Sequence, residues 1–355
     1  VFMDNKITYH EQNDIDNILK LREVLKTLPP FCRDYFRAID ATTTTKTRIS
    51  YAYDIRIFFQ FLLEQNPMFK DKTMSDFTVD VLDQIKAVDL EEYEEFLKVY
   101  KSADSSKTET NGERGVKRKI SALRSFYAYY YKHEMITTNP SVLIDVPKIH
   151  EKNIIRLDTD EVAMLLDYIE HCGDTLTGQK RMYHEKTKDR DLAIVTLLLG
   201  TGIRVSECVG LDVEDVDFKN NGIKVTRKGG NEMVVYFGPE VEKALKKYLE
   251  VRENITPLAG HEHALFYSTQ RRRIGVQAIE NLVKKYAREI TTTKKITPHK
   301  LRSTYGTALY QETGDIYLVA DVLGHKDVNT TKKHYAALDD ARRRQAAKAV
   351  RLRED

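Results

Sequence analysis

Cysteine is scarce in this chain. Cys32, Cys172 and Cys208 are odd in number, far apart and form no C-x-x-C pair. That excludes a disulfide framework and a thiolate zinc site, and it fits a reducing cytosol. Long hydrophobic runs are missing as well: no stretch approaches the ~20 apolar residues of a membrane span, and the N-terminus carries no signal-peptide apolar region. A cytoplasmic protein is expected. Nor does one sign of charge dominate, since 57 Lys and Arg face 54 Asp and Glu, a formal net charge of +3. Any affinity for nucleic acid must therefore come from where the charges sit, not from their total. No internal repeat is apparent, and 355 residues suffice for two domains with separate cores.

What is present in the first half is helical periodicity. Ile15, Ile18, Leu19, Val24, Leu25 and Leu28 recur at helical spacing between Asp14 and the stop at Pro29-Pro30. A longer helix follows the threonine run Thr42 to Thr45, with Ile55, Phe58, Phe59 and Leu62 facing inward. Leu90, Tyr93, Phe96, Leu97 and Tyr100 predict a third, and the polar stretch from Lys101 to Gly112 predicts a loop. Ile120, Leu123, Phe126, Tyr127 and Tyr130 mark a fourth, whose first turns carry Arg114, Lys117, Arg118, Lys119 and Arg124. A proline-bearing connector through Pro140 and Pro147 then separates residues 1–150 from a second domain at 151–355. That domain opens on Asp158-Thr159-Asp160-Glu161, a capping-box pattern ahead of an apolar run. An apolar helix from Arg190 to Leu199 leads into Thr201-Gly202-Ile203-Arg204. The period then changes: Gly222 to Thr226 and Glu232 to Phe237, joined by Lys228-Gly229-Gly230-Asn231, predict a β-hairpin. Helices return from Pro239, across Ile274 to Ile290, from near Pro298, and up to Gly324. The expected fold class is mainly α with a small antiparallel sheet in the second domain.

Chemistry concentrates in five stations: Arg204 with Glu207, Arg227-Lys228-Gly229-Gly230, His299 with Arg302, Leu323-Gly324-His325, and His334-Tyr335. A phosphodiester resists attack because its negative charge repels a nucleophile and grows as the attack proceeds. Two permanently charged guanidiniums, each presenting paired N–H donors, answer that need directly. Glu207 follows Arg204 by three residues, which places it on the same helical face to hold that guanidinium. His299 and Arg302 likewise share a face, and an imidazole titrating near neutrality suits proton transfer or a hydrogen bond to phosphate. With no carboxylate pair or cysteine cluster nearby and arginines already supplying positive charge, neither a metal nor a cofactor is expected.

In this order the stations resemble the tyrosine recombinase, or phage integrase, family, from about Thr42 to the end of the chain, and most nearly its Xer group. The resemblance implies an N-terminal helical, SAM-like core DNA-binding domain and a C-terminal catalytic domain. It makes Tyr335 the nucleophile that forms a 3′-phosphotyrosine, with Arg204 and Arg302 clamping the phosphate. The family's mobile lysine falls on the hairpin, which favours Lys228 over Arg227 or Lys224 as general acid. His325 supplies a further hydrogen bond, and His334 reads as a bystander. Two positions depart from the pattern: Ser303 stands where many members have His or Arg, and the interval from His325 to Tyr335 is one residue longer than in Xer proteins.

The implied activity is site-specific recombination of double-stranded DNA through a Holliday junction, in a homotetramer on two sites. Candidate DNA contacts are Lys46 and Arg48, the cluster Arg114, Lys117, Arg118, Lys119 and Arg124, and the basic knot Arg271-Arg272-Arg273. Beyond Tyr335, Asp339 to Leu352 reads as a short helix with an alanine-rich side; in this family such a tail docks into a neighbouring protomer. An Xer role and a mobile-element integrase role both stay open, as does an accessory or directionality protein. A type IB topoisomerase, using the same chemistry without exchange, and a catalytically idle DNA-binding protein are the alternatives from other classes.

Overall fold

Two units divide the chain, Val1–Glu151 and Lys152–Asp355; the computed structural model describes residues 8–101, 107–148, 155–227, 229–325 and 328. In the first unit, helix α1 (Tyr9–Lys26) starts at a capping box, with the Thr8 and Glu11 side chains each bonding the other's backbone N–H. Short α2 (Cys32–Ala38) follows the two prolines, and α3 (Thr45–Gln65) starts where the Thr44 hydroxyl accepts from the Thr47 N–H. Next come α4 (Val81–Gln84), α5 (Ala87–Lys98) and α6 (Glu113–Lys132).

Aromatic side chains build this unit's core. Phe58 and Phe59 of α3, Tyr93 of α5, and Phe126, Tyr127 and Tyr130 of α6 are all fully buried. Their rings meet mostly edge to face, for example Phe58 with Tyr93 at 5.2 Å and Phe126 with Tyr130 at 5.0 Å. Each such pair adds ~0.5–1.5 kcal/mol beyond area burial. The buried hydroxyls find partners: Tyr130 donates to the Phe31 carbonyl at 2.8 Å, and Tyr35 bonds Ser125 at 2.9 Å.

Two sequence expectations fail in this unit. Ile15, Ile18 and Leu19 are exposed, because α1 meets the core only through its second half, at Leu21 and Val24. The third helix stops at Lys98, short of the expected Tyr100, and β1 (Val99–Lys101) pairs antiparallel with β2 (Thr108–Thr110), which lies inside the stretch expected to loop out. Its mostly exposed residues carry no apolar alternation, so the strand signal is absent from the sequence.

In the second unit, α7 (Thr159–His171) begins at the expected box between Asp158 and Glu161. The central helix α8 (Gly178–Thr201) starts twelve residues before the apolar stretch from Arg190. Its first turns are charged, yet His184, Thr187 and Asp191 are buried, and Asp191 accepts from Arg190 and from the Tyr286 hydroxyl at 3.0 Å. Short α9 (Val205–Gly210) precedes a three-stranded antiparallel sheet, β3 (Val216–Asp217), β4 (Gly222–Thr226) and β5 (Glu232–Tyr236), in that order. The predicted hairpin is β4 with β5; the added strand β3 pairs Val216 with Ile223. Then follow α10 (Pro239–Glu253), α11 (Val276–Ile290), α12 (Pro298–Thr313) and α13 (Ile316–Leu323). Helices α10 and α12 pack on α8, which sets the end of α12 bearing Arg302 beside the end of α8 that turns into Arg204. Among the described residues no helix is long and apolar enough to cross a membrane.

Candidate active site

Three chain reversals bring the stations together. Helix α8 ends at Gly202, whose φ of 63° lies in the left-handed region. A Cβ there would come within 2.4 Å of the Tyr305 ring and 3.0 Å of Leu323, so glycine is required twice over. The turn delivers Arg204 to the N-cap of α9, where the Glu207 carboxylate accepts from the Arg204 backbone N–H at 2.8 Å and from its Nη1 at 2.6 Å. One acidic side chain thus starts the helix and orients the guanidinium. Glu207 is itself only 3% exposed.

Arg302 lies one turn into α12 and is 4% exposed. Its Nη1 donates to the Gly202 carbonyl at 2.5 Å and its Nη2 to the Leu323 carbonyl. Arg204 keeps one edge open: the side chain is 35% exposed, and Nη2 reaches the Gly324 carbonyl at 3.2 Å. His299, a turn before Arg302, is exposed at the start of α12, and His325 is half-buried just past α13. Helix α13 closes in a Schellman motif, with Gly324 N–H bonding Asp321 O at 2.7 Å and His325 N–H bonding Ala320 O at 2.9 Å. Gly324 is left-handed at φ 62°.

A third arginine joins them. Arg227, at the end of β4, donates to the Leu323 and Val322 carbonyls, both at 2.8 Å, and lies 3.7 Å from Glu207. In the sequence this residue stands out only as a rival to Lys228. Strand alternation carries the missed signal: Ile223 and Val225 point inward, and period two continues that face to residue 227. Lys224, the other rival, is exposed and pairs with Glu232 at 3.3 Å. Lys228, His334, Tyr335 and the tail from Asp339 lie outside the described residues.

The electrostatic result is a surplus of positive charge on one spot. Arg204, Arg227 and Arg302 all bond carbonyls of residues 322–324 or 202, and a helix C-terminus carries partial negative charge that suits them. Neutral carbonyls do not cancel a guanidinium, and the buried Glu207 carboxylate is shared by two of the three, Arg204 and Arg227. Burial pushes the Arg227 pKa down; Glu207 pulls it back up, and the like charge of Arg204 pushes it down again. Arginine stays charged regardless. The arrangement can accept an anion with two or more exposed oxygens. Among the described residues no group of three His, Cys, Asp or Glu side chains could hold a metal ion.

The phage integrase family profile matches residues 156–342, more than half of the chain, and spans every station above. The chain belongs to the phage integrase family. Tyrosine recombinase XerC of Caldanaerobacter subterraneus is 32% identical over 92% of this chain and 88% of its own length. Tyrosine recombinase XerS of Lactococcus lactis is 30% identical over 89% and 93%. In fold, this tyrosine recombinase matches XerH bound to its palindromic difH substrate (TM-score 0.65, 20% identity, 97% of this chain and 90% of the other). It also matches the Tn1549 transposon integrase bound to circular intermediate DNA (TM-score 0.62, 22% identity, 90% and 99%). It is an enzyme of site-specific recombination with a helical N-terminal unit and a C-terminal catalytic unit.

The expected DNA contacts divide into two groups. Arg118 is bound to Asp54, which is 1% exposed; Lys119 is buried and donates to Asn111 at 2.8 Å. Arg124 bonds the Ser141 carbonyl at 3.0 Å and the Ile144 carbonyl, and Arg48 pairs with Asp40. Arg273 braces Val209 O, Leu211 O and Asp212. Those five side chains have structural partners within their own units. Lys46, Arg114, Lys117, Arg271 and Arg272 are exposed.

Proposed function

We propose that Tyr335 attacks the scissile phosphorus while Arg204 and Arg302 hold the non-bridging oxygens. The bond from the tyrosine oxygen to phosphorus forms as the bond to the 5′-oxygen breaks, leaving a 3′-phosphotyrosine and a free 5′-hydroxyl. Lys228 donates the proton that the departing 5′-oxygen takes up; His299 receives the phenolic proton, and His325 adds a hydrogen bond to phosphate. The observation that carries this reading is the gathering of the Arg204 and Arg302 guanidiniums, with Arg227 beside them, on the backbone carbonyls that close α13. Such preorganised charge acts where the phosphorane's charge develops. Because the covalent link conserves bond energy and arginines supply the charge, cleavage needs neither ATP nor a metal.

The substrate on this reading is double-stranded DNA. The first unit serves as the core-binding domain, gripping backbone phosphates through Lys46, Arg114 and Lys117, and Arg271 and Arg272 add contacts from the second. Strands exchange in two sequential pairs through a Holliday junction within a tetramer whose C-terminal tails are exchanged. Three buried free thiols accord with work in a reducing cytoplasm. The relatives' names support an Xer-like role.

Two assays test this. Denaturing gels of protein trapped on a nicked suicide substrate in EDTA should show a covalent adduct with the native protein and none with Tyr335→Phe, at unchanged DNA affinity. An undiminished adduct in the variant, or a magnesium requirement for cleavage itself, removes the mechanism. A supercoiled plasmid with two target sites should yield exchanged products; relaxation alone points to a topoisomerase.

A further inference from the structure

Arg227 adds charge to the site but takes no step of its own in the mechanism above, and at 9% side-chain exposure it is among the site's most enclosed charges. It is the last described residue before the tip of the β4–β5 hairpin and shares a peptide bond with Lys228. Its backbone closes the turn, with its N–H bonding Asn231 O at 2.7 Å and its carbonyl accepting from Gly230 N–H at 3.0 Å. Its side chain leaves the hairpin altogether. One guanidinium spans Leu323 O, Val322 O and Met233 Sδ, and faces Glu207, the same carboxylate that orients Arg204. The fit on α13 is close: a Cβ at residue 324 would stand 2.7 Å from Arg227 Nη1 and 2.8 Å from Cζ. Nε has no partner among the described residues, so the Nη atoms do the holding.

The end of α13 has other anchors, because Arg302 and Arg204 grip Leu323 O and Gly324 O. For the hairpin, Arg227 provides the described side-chain bonds to that turn. Losing it would leave α13 fastened and free the hairpin tip. We infer that Arg227 is a positioning residue that locks the hairpin tip onto the C-terminal turn of α13, and thereby sets the place from which Lys228 delivers its proton. The inference rests on the reading of Lys228 as general acid. No bond changes at Arg227; the step it serves is proton transfer from Lys228 Nζ to the 5′-oxygen as the phosphorus–oxygen bond breaks. Misplacement of a catalytic group by about 1 Å can cost 10²-fold in rate.

The test compares adduct formation by the full chain on suicide substrates carrying oxygen or sulfur at the scissile 5′-bridging position, since a thiolate leaves without a proton. Arg227→Ala should slow the oxygen substrate about 10²-fold, as expected for a misplaced acid, and the sulfur substrate only a few-fold. Combining it with Lys228→Ala should add little to the loss from Lys228→Ala alone. Arg227→Lys, which keeps the stem and the charge and guards against a folding defect, should stay slow on oxygen, because one ammonium cannot reproduce the guanidinium's fork. Equal loss on both substrates, multiplicative losses in the double variant, or full activity in Arg227→Lys each overturn the inference. If Lys228→Ala is itself rescued by sulfur, those results leave the Lys228 assignment standing; if it is not, that assignment falls and takes the role of Arg227 with it.

Discussion

The two units treat clustered positive charge in opposite ways. In the first, Arg118 faces a buried aspartate, Lys119 a side-chain amide, and Arg124 the carbonyls of the connector, so three cations of one helix hold the unit together. In the second, three arginines from separate elements lean on neutral carbonyls, and two of them share a single carboxylate. The difference lies in convergence. Those three cations of the first unit each hold a separate partner, Arg118 a carboxylate and the others neutral groups. The second unit instead draws three guanidiniums from separate elements to the carbonyls of residues 202 and 322–324, which orient them without cancelling their charge. Density of Lys and Arg along a sequence therefore says less about phosphate binding than the identity of what each side chain touches.

The sharpest way to break this contrast is to remove one arginine from each unit. Arg302→Ala should lower the rate of adduct formation by about 10²- to 10³-fold, the usual cost of losing one such donor. Single-turnover cleavage on a suicide substrate measures it, and a loss below tenfold would mean the carbonyl-held guanidinium is structural. Arg118→Ala should act on stability instead. It strands the buried Asp54 charge and should destabilise the fold by on the order of 2–3 kcal/mol, below the full buried-pair penalty because Arg118 is half-exposed. Denaturant midpoints provide the check; an unchanged midpoint with weakened DNA binding would mean that Arg118 serves DNA and not the fold.

Smaller effects sharpen the comparison within the first unit. Lys117 is exposed on the same helix, so Lys117→Ala should weaken binding uniformly across DNA sequences and reduce the slope of log affinity against log salt by about 1. A slope indistinguishable from the native one would take Lys117 off the phosphate backbone. Last, burial pushes the Asp54 carboxyl up to about 6 despite the opposing pull of Arg118 and Lys119. Because the folded-state pKa lies above the ordinary value of 3.8, the folded form binds more protons between those limits. The stability this group contributes is present below about pH 3.8 and is lost as pH rises through about 6. Thermal melts from pH 4 to 7 should therefore show a decline that Asp54→Asn lacks; parallel profiles would mean Asp54 is ionised at ordinary carboxylate pH.

The sequence by itself determined the helix sites and the order of the chemistry. Threonine caps, the Asp158–Glu161 box and the proline stops act within a few residues, so their effects are local and legible. The alternation in Gly222 to Thr226 and the Gly229-Gly230 turn likewise announced the hairpin, and Arg204 with Glu207 three residues on announced an ion pair. What only the tertiary structure decided depends on partners distant in sequence. The exposed Ile15, Ile18 and Leu19 follow a helical stripe left uncovered among the described residues, since periodicity describes a face but not what packs on it. The engagement of Arg118 required Asp54, 64 residues away, and the site role of Arg227 required the end of α13, 95 residues away. A cation's function is set by what shares its few ångströms of low-dielectric surroundings, and that neighbourhood exists only once the chain has folded.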